Sequence, residues 1–161
     1  MRNSSISVLI VGLLVGLFAI ATTARTAEDP GTGKWKMDPA KSKYDPGPAP
    51  KSGTATVNAD ENNYKVDSHT VYPDGTETHI AFEAKTDGKD YPLTGVPTAD
   101  KISVKRIDAN TVETTWKKDG KTVMKTRGVV SNNGKTRTVT FDGTDAQGHK
   151  IHVVAVYDKE G

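Results

Sequence analysis

The sequence predicts an all-β fold, an antiparallel up-and-down meander barrel of about 8–10 strands. Three observations predict it. Turn signals recur about every ten residues from Thr54 onward, short stretches of alternating apolar and polar residues lie between them, and no window has the apolar spacing of a long helix. Short strands at this spacing, joined by tight turns, form antiparallel barrels or sandwiches.

The first 24 residues have the layout of a secretory signal peptide. Arg2 supplies a basic start, Ile6 to Ile20 is a run of apolar and small residues, and a small-residue exit ends at Ala24. We expect cleavage after Ala24, with Ala27 as the alternative, so that residues 25–161 form a single barrel domain. The apolar run is shorter than the roughly 20 residues that span a bilayer. We therefore expect a secreted or periplasmic protein without stable membrane insertion after cleavage.

The composition limits the partners of the mature chain. The full sequence has 22 Lys and Arg against 20 Asp and Glu, intermixed along the chain, and no cysteine. A balanced surface gives no electrostatic reason to bind nucleic acid. An exported chain without disulfides depends on packing and hydrogen bonding for its stability. We expect a monomer that carries no cofactor.

The first predicted strand runs through Trp35, one of only two tryptophans in the chain. We expect its indole to close one end of the barrel. Residues 38–53 then interrupt the strand rhythm: Asp38 can cap a single helical turn, and a proline-rich stretch follows from Tyr44 to Pro50. This stretch is expected to cross one barrel mouth as extended chain.

The remaining strands are separated by turn signals rich in Asp, Asn, Gly and Pro. The last predicted strand, Ile151 to Tyr157, is apolar on both faces, so it is expected to be covered on both sides and not to lie at a free edge. The predicted strands cover residues 54–59, 63–72, 76–86, 89–94, 101–107, 111–117, 121–131, 136–143 and 150–158.

One hairpin has a register that can be derived from the sequence. Pro73-Asp74-Gly75 suits a three-residue loop, because Pro fixes φ at the first position and Gly takes the left-handed third position. Pairing outward from this loop sets Val66 opposite Phe82 on an apolar face. Lys65 then lies opposite Glu83 on a charged face, and a one-residue slip would break this sorting.

A second hairpin, around Asp119-Gly120, has two registers that stay open. A two-residue loop places Arg127 on the same face as Val112 and Trp116. A three-residue loop beginning at Lys118 turns Arg127 outward and sets Glu113 opposite Lys125. The second loop brings these residues onto the inner face: Thr122, Met124, Thr126 and Val130. The alternation of side chains favours the second register.

Gly33-x-Trp35, the meander and the chain length together resemble the lipocalin-like (calycin) barrels. That resemblance implies a barrel whose indole closes the floor beneath a late arginine, a position for which Arg137 is a candidate. The mature chain also resembles a group of small bacterial exported proteins with a lipocalin-like domain. The stretches that carry this second likeness are 33–36, 45–52, 105–113 and 153–157.

The fatty-acid-binding barrels are a sharper comparison, since Asp119-Gly120-Lys121 followed by Thr126-Arg127 resembles their turn and internal arginine. In that family the arginine meets a ligand carboxylate, which implies an inward Arg127. The chain departs from the family in two places. The closing Arg-x-Tyr motif is Ala155-x-Tyr157 here, and residues 38–53 are too short and proline-rich for a helical lid. Both departures argue against a fatty acid bound through its carboxylate.

The four histidines do not predict a metal site. His69 and His79 lie opposite one another on the polar face of the first hairpin, but two imidazoles alone rarely make a tight site. His149 and His152 have no carboxylate partner evident from the sequence. We expect no metal.

The function predicted from these observations is that of an exported carrier, which holds a small hydrophobic or amphipathic ligand inside the barrel. The alternative is a filled barrel that serves as an interaction module of the cell envelope. The sequence has no nucleophile elbow, phosphate loop or zinc-protease motif, so we do not expect an enzyme. The expected ligand-binding residues are Tyr64, Val66, Ile80, Phe82, Val112, Trp116, Arg127 and Tyr157, with Tyr157 and an inward Arg127 as the polar contacts.

Overall fold

The computed structural model describes residues 28–145 and 147–161, so the predicted signal peptide and both cleavage sites lie outside the described residues. Every regular element in the described part is a β-strand. The eleven strands are β1 (Gly33–Met37), β2 (Lys43–Asp45), β3 (Ser52–Ala59), β4 (Asn63–Val71), β5 (Glu77–Lys85), β6 (Asp87–Pro92), β7 (Lys101–Asp108), β8 (Thr111–Lys118), β9 (Lys121–Val130), β10 (Thr136–Thr144) and β11 (Lys150–Lys159).

The strands form a nearly closed antiparallel barrel, which confirms the predicted fold class. The order around the sheet is β5-β4-β3-β1-β11-β10-β9-β8-β7-β6, so the first strand pairs with the last and joins the two halves of the meander. Among the described residues, an isolated bridge between Ala81 in β5 and Thr94, two residues after the end of β6, joins the two ends of the sheet. This bridge is the seam of the barrel.

The short strand β2 was not predicted. Pairing of β1 with β11 ends at Met37. The chain then makes a turn in which the Asp38 carboxylate accepts the Ala40 N–H at 3.0 Å, and pairing with β11 resumes in β2, where Lys43 lies opposite Val154. The strands before and after this turn, β1 and β2, therefore both pair with β11. The proline-rich segment that follows, Pro46 to Pro50, lines the mouth of the barrel cavity.

The register of the β4–β5 hairpin agrees with the prediction at every predicted pair. Val66 lies opposite Phe82, and Lys65 lies opposite Glu83 with 3.3 Å between the charged groups. Gly75 has a φ of 84° at the third position of the loop, a conformation that glycine adopts without the Cβ penalty of other residues.

The β8–β9 hairpin differs from both predicted registers. Its loop has two residues, with Asp119 and Gly120 at φ 49° and 76°. A bulge between Trp116 and Lys117 then shifts the pairing by one residue, because β9 contributes one extra residue there. The bulge places Met124 and Thr126 inward, and it sets Arg127 opposite Glu113 on the outer face.

The lower end of the barrel is filled and the upper end is hollow. Trp35 is fully buried at the base, where its Nε1 donates to the Gly31 carbonyl at 2.9 Å. The Lys159 ammonium lies 5.3 Å from the centre of the indole, so lysine occupies the cation position over this ring. An ion pair of 2.6 Å between Arg106 and Asp29 ties the N-terminal segment to β7.

Candidate functional site

A cavity opens at the upper end of the barrel, between the β4–β5 loop and the proline-rich segment. Its upper chamber has a volume of about 470 Å³. Ligand pockets usually measure about 300–1,000 Å³ and are mostly apolar with a few polar groups. The side chains that line the upper chamber are largely apolar and aromatic, and they include Met37, Tyr44, Pro46, Pro48, Tyr72, Ile80, Trp116, Met124, Phe141, Val153 and Tyr157.

The aromatic lining comes from several strands, because period-two alternation turns every second residue inward. Trp116 on β8 and Phe141 on β10 meet edge to face, with ring centres 6.2 Å apart and an interplanar angle of 82°. The Trp116 Nε1 donates to Thr114 Oγ1 at 2.9 Å, and this hydroxyl lies 2.8 Å from that of Thr126. Thr114 satisfies the indole N–H inside the barrel, and Thr126 bonds the Thr114 hydroxyl in turn, so the ring is held in one orientation.

Below the aromatic chamber lies a smaller one of about 80 Å³. Tyr64 and Phe82 stack against each other at its side, with ring centres 6.2 Å apart. Tyr157 and Trp116 line both chambers, so the two volumes adjoin each other along the barrel axis.

Arg137 brings a positive charge into the lower chamber. Its side chain is directed inward from β10, and only 9% of the residue surface is exposed. Nη2 donates to the Tyr64 hydroxyl at 2.8 Å. No acidic side chain in the described parts of the chain lies within 4.0 Å of this guanidinium. Arg137 also lines a narrow void at the base together with the Arg106–Asp29 ion pair, but it makes no direct ion pair of its own among the described residues. A buried cation without a direct counter-charge is costly.

Burial and the positive charge of Arg137 shift the pKa of Tyr157 in opposite directions. Burial raises the pKa of the Tyr157 phenol, because it disfavours the phenolate, and the positive Arg137 offsets part of that effect. Tyr157 therefore stays a neutral hydroxyl in the cavity wall. At the mouth, burial likewise raises the pKa of Tyr44, whose hydroxyl lies 3.2 Å from the Met37 sulfur.

The structure brings six of the eight expected ligand-binding residues to the cavity. Ile80, Trp116 and Tyr157 line both chambers. The lower chamber also has three further expected residues in its wall: Tyr64, Val66 and Phe82. Their contact with a ligand stays a prediction.

The other two expected residues lie elsewhere. Val112 is buried below both chambers, against the base of the barrel. Arg127 points outward, where its side chain is 51% exposed and forms an ion pair with Glu113. The inward Arg127 that the fatty-acid-binding resemblance implies is therefore wrong, and the outward orientation that the alternation of side chains favours is confirmed. The bulge in the β8–β9 hairpin is the physical reason, since it reverses the face that a two-residue loop would give.

Arg137 is the functional candidate that sequence reasoning placed differently. The lipocalin-like resemblance predicts Arg137 as a cation over Trp35, but Lys159 holds that position. The signal for its cavity position was present, because Arg137, Val139 and Phe141 alternate along one strand and therefore share a face.

The histidines lie outside the cavity, and each contacts a carboxylate. His149 lies 2.9 Å from Asp145 and His152 lies 2.7 Å from Asp142, carboxylate partners that were not evident from the sequence. Among residues 28–145 and 147–161, no group of three or more His, Asp or Glu side chains is arranged to hold a metal ion.

The fold and the pocket define the protein as a small antiparallel barrel with a ligand-sized interior. No helix in the described residues is long and apolar enough to cross a membrane. No family model matches the sequence, and no curated protein gives a significant match.

Among solved structures, the chain is similar to the crystal structure of zebrafish ileal bile acid-binding protein complexed with cholic acid. The TM-score is 0.49, with 12% sequence identity over 81% of this chain and 99% of that chain. At this level of identity, the ligand of the zebrafish protein says nothing about the ligand of this chain.

Proposed function

We propose that the protein is an exported carrier that binds a small amphipathic molecule with an anionic group inside the barrel. The observation that carries this proposal is the position of Arg137, a buried cation at the inner end of an apolar cavity. The ligand's apolar body occupies the upper chamber, and its anionic group meets Arg137 and Tyr64 below.

The upper chamber supports the apolar part of the proposal. Its volume of about 470 Å³ suits a compact molecule and not a protein segment. Burial of apolar ligand surface against side chains such as Trp116 and Phe141 contributes roughly 25 cal/mol for each Å² removed from water. Aromatic rings on several sides favour a flat or cyclic ligand, because such a ligand can stack on them.

The lower chamber supports the anionic part. A charge-assisted hydrogen bond is about twice as strong as a neutral one. An anion beside Arg137 forms such a hydrogen bond in a place where little water competes for it. The anion also supplies the counter-charge that the buried guanidinium lacks, which offsets the free-energy cost of burying that charge. The lower chamber is small, about 80 Å³, so it suits a compact group such as a carboxylate or sulfonate.

Export is proposed from the N-terminal sequence alone. The basic start at Arg2, the apolar run and the small-residue exit at Ala24 have the order that a secretory signal requires.

The proposed carrier function is tested by titrating the purified protein with two fluorescent apolar probes of similar size, one a sulfonate and one neutral. We expect saturable one-to-one binding of both, tighter binding of the sulfonate, and a rise in melting temperature with probe concentration. Absence of saturable binding for both probes would contradict the carrier function. Equal affinity for the two probes would contradict the anionic subsite alone.

A further inference from the structure

The outer face of the β4–β5 hairpin carries two histidines at directly opposed positions. His69 on β4 and His79 on β5 are Cα partners in the register. Both imidazoles are exposed, with 46% and 60% of the side-chain surface accessible. They lie outside the barrel, so the ligand cavity does not use them.

The backbone hydrogen bonds show that the Cα atoms of these two residues are as close as an antiparallel pair allows. The N–H and C=O of Ala81 bond to Thr94 and therefore point away from β4. Backbone groups alternate in direction along a strand, so those of His79 point the same way as those of Ala81. His69 and His79 thus form a non-hydrogen-bonded pair, in which Cα atoms lie about 4.5 Å apart and side chains are closest.

Each imidazole is held by its own carboxylate. His69 Nε2 lies 3.0 Å from Glu77, and His79 Nε2 lies 3.0 Å from Asp67. An ionised carboxylate only accepts hydrogen bonds, so each Nε2 is the protonated nitrogen of its ring. The Nδ1 of each neutral imidazole then carries a free lone pair.

The carboxylate contact to each imidazole is a feature that metal-binding histidines usually have. A ligating imidazole commonly donates its other N–H to a carboxylate, which fixes the ring orientation and raises the basicity of the ligating nitrogen. Here two neighbouring imidazoles have such partners, Glu77 and Asp67. The adjacent strand β3 places the short, uncharged Thr54 beside His69 and Thr56 beside Asp67, and neither side chain repels a cation.

We propose that His69 and His79 bind one divalent transition-metal ion through their Nδ1 atoms, with Glu77 and Asp67 as the carboxylates that orient them. Water completes the coordination, since no third His, Asp or Glu converges here within the described residues. Imidazole suits Cu²⁺, Ni²⁺ and Zn²⁺, and Cu²⁺ binds most tightly of the three to a given site. The site is independent of the proposed ligand cavity.

The test is a calorimetric titration of the purified protein with Cu²⁺ in a non-coordinating buffer, repeated on variants. We expect one ion per chain, and His69→Gln or His79→Gln to weaken binding at least tenfold. Asp67→Asn and Glu77→Gln remove the orienting partners and are expected to weaken binding by about 10- to 100-fold. All four side chains are exposed, so the fold is expected to survive each change.

The chain supplies a matched control in His149 and His152. Each has a carboxylate partner, but the two residues follow one another along one stretch of chain and are not opposed across a strand pair. The double variant His149→Gln/His152→Gln is expected to keep its Cu²⁺ affinity within twofold. Unchanged affinity in both His69→Gln and His79→Gln would overturn the site. Loss of binding only in the control variant, or a Cu²⁺-dependent dimer, would overturn it as well.

Discussion

Arg137 and Tyr64 meet inside the barrel through a hydrogen bond of 2.8 Å, although they lie on β10 and β4, strands that are not neighbours in the sheet. The bond links opposite walls just above the packed base. It turns the guanidinium toward the cavity and places a neutral hydroxyl beside it. An entering anion would therefore meet a cation and a phenol that are already oriented, which lowers the ordering cost of binding.

The first prediction concerns this cation. Arg137→Gln is expected to weaken binding of the sulfonate probe by about 1.5–3 kcal/mol, the contribution of a hydrogen bond to a charged group, and to leave the neutral probe nearly unchanged. Fluorescence titration of both probes measures the difference. Arg127→Gln is the matched control, because Arg127 lies on the outer face. Equal losses in the two variants would contradict an anionic subsite at Arg137.

The second prediction concerns the base of the barrel. Trp35 is fully buried, and Trp35→Ala is expected to lower the free energy of unfolding by about 3–5 kcal/mol, since it removes a large aromatic and leaves a cavity. Urea unfolding measures the loss. Ile107, which is 42% exposed, provides the control, and Ile107→Ala is expected to cost about 0.5 kcal/mol or less. A Trp35→Ala variant as stable as the control would show that the indole does not close the base.

The third prediction concerns the seam between β5 and β6. Gly95 has a φ of 88°, and a Cβ at this position would lie 1.6 Å from the His79 carbonyl oxygen. Gly95→Ala is therefore expected to separate Thr94 from Ala81 and to increase hydrogen exchange at both amides. Gly88→Ala is the control, because Gly88 has a similar φ of 76° with nothing within 4 Å.

The two glycine variants share the cost of left-handed backbone, about 1–2 kcal/mol, so any additional loss in Gly95→Ala measures the seam contact. Urea unfolding of the two proteins gives this difference. If both variants lose the same stability and the exchange of Ala81 is unchanged, the seam does not depend on the close approach of Gly95.

The fourth prediction concerns alkaline pH. Burial raises the pKa of Tyr157 above its ordinary value of 10.0, with a smaller opposing effect of Arg137. Above about pH 10 the unfolded chain loses this proton while the folded chain keeps it, so the folded state becomes less stable as the pH rises. Tyr157→Phe is expected to flatten the decline in unfolding free energy between about pH 8 and about pH 11. An unchanged slope would contradict a buried, protonated Tyr157.

The strands and hairpins were predictable from the sequence because the patterns that specify them are local. Alternation and turn residues act within one hairpin, and Pro73 and Gly75 fix the loop geometry that sets the β4–β5 register. The bulge at Trp116 could not be predicted, because the insertion of one residue in β9 depends on packing across the barrel and leaves no local signature. The short β2 was missed for a similar reason, since its three residues pair with a strand more than a hundred residues away.

The candidate site was less predictable than the fold. The part of its lining on β4 and β5 followed from alternation once the register of that hairpin was known, whereas Met124, Phe141 and Val153 on other strands were not among the expected ligand-binding residues. Arg137 is buried among largely apolar residues. Arginine is usually exposed, so its residue type predicts the opposite position. The hydrogen bond to Tyr64 depends on closure of the barrel, which brings strands together that are remote in sequence.

The most direct test of the central claim is to locate a bound sulfonate probe by intermolecular nuclear Overhauser effects. A ligand held in the barrel cavity is expected to give contacts from the probe's aromatic protons to the Met37 and Met124 methyl groups and the Tyr157 ring, all of which line the cavity. Contacts to the exposed Ile107 and Val129 on the outer face, with none to the cavity residues, would contradict it.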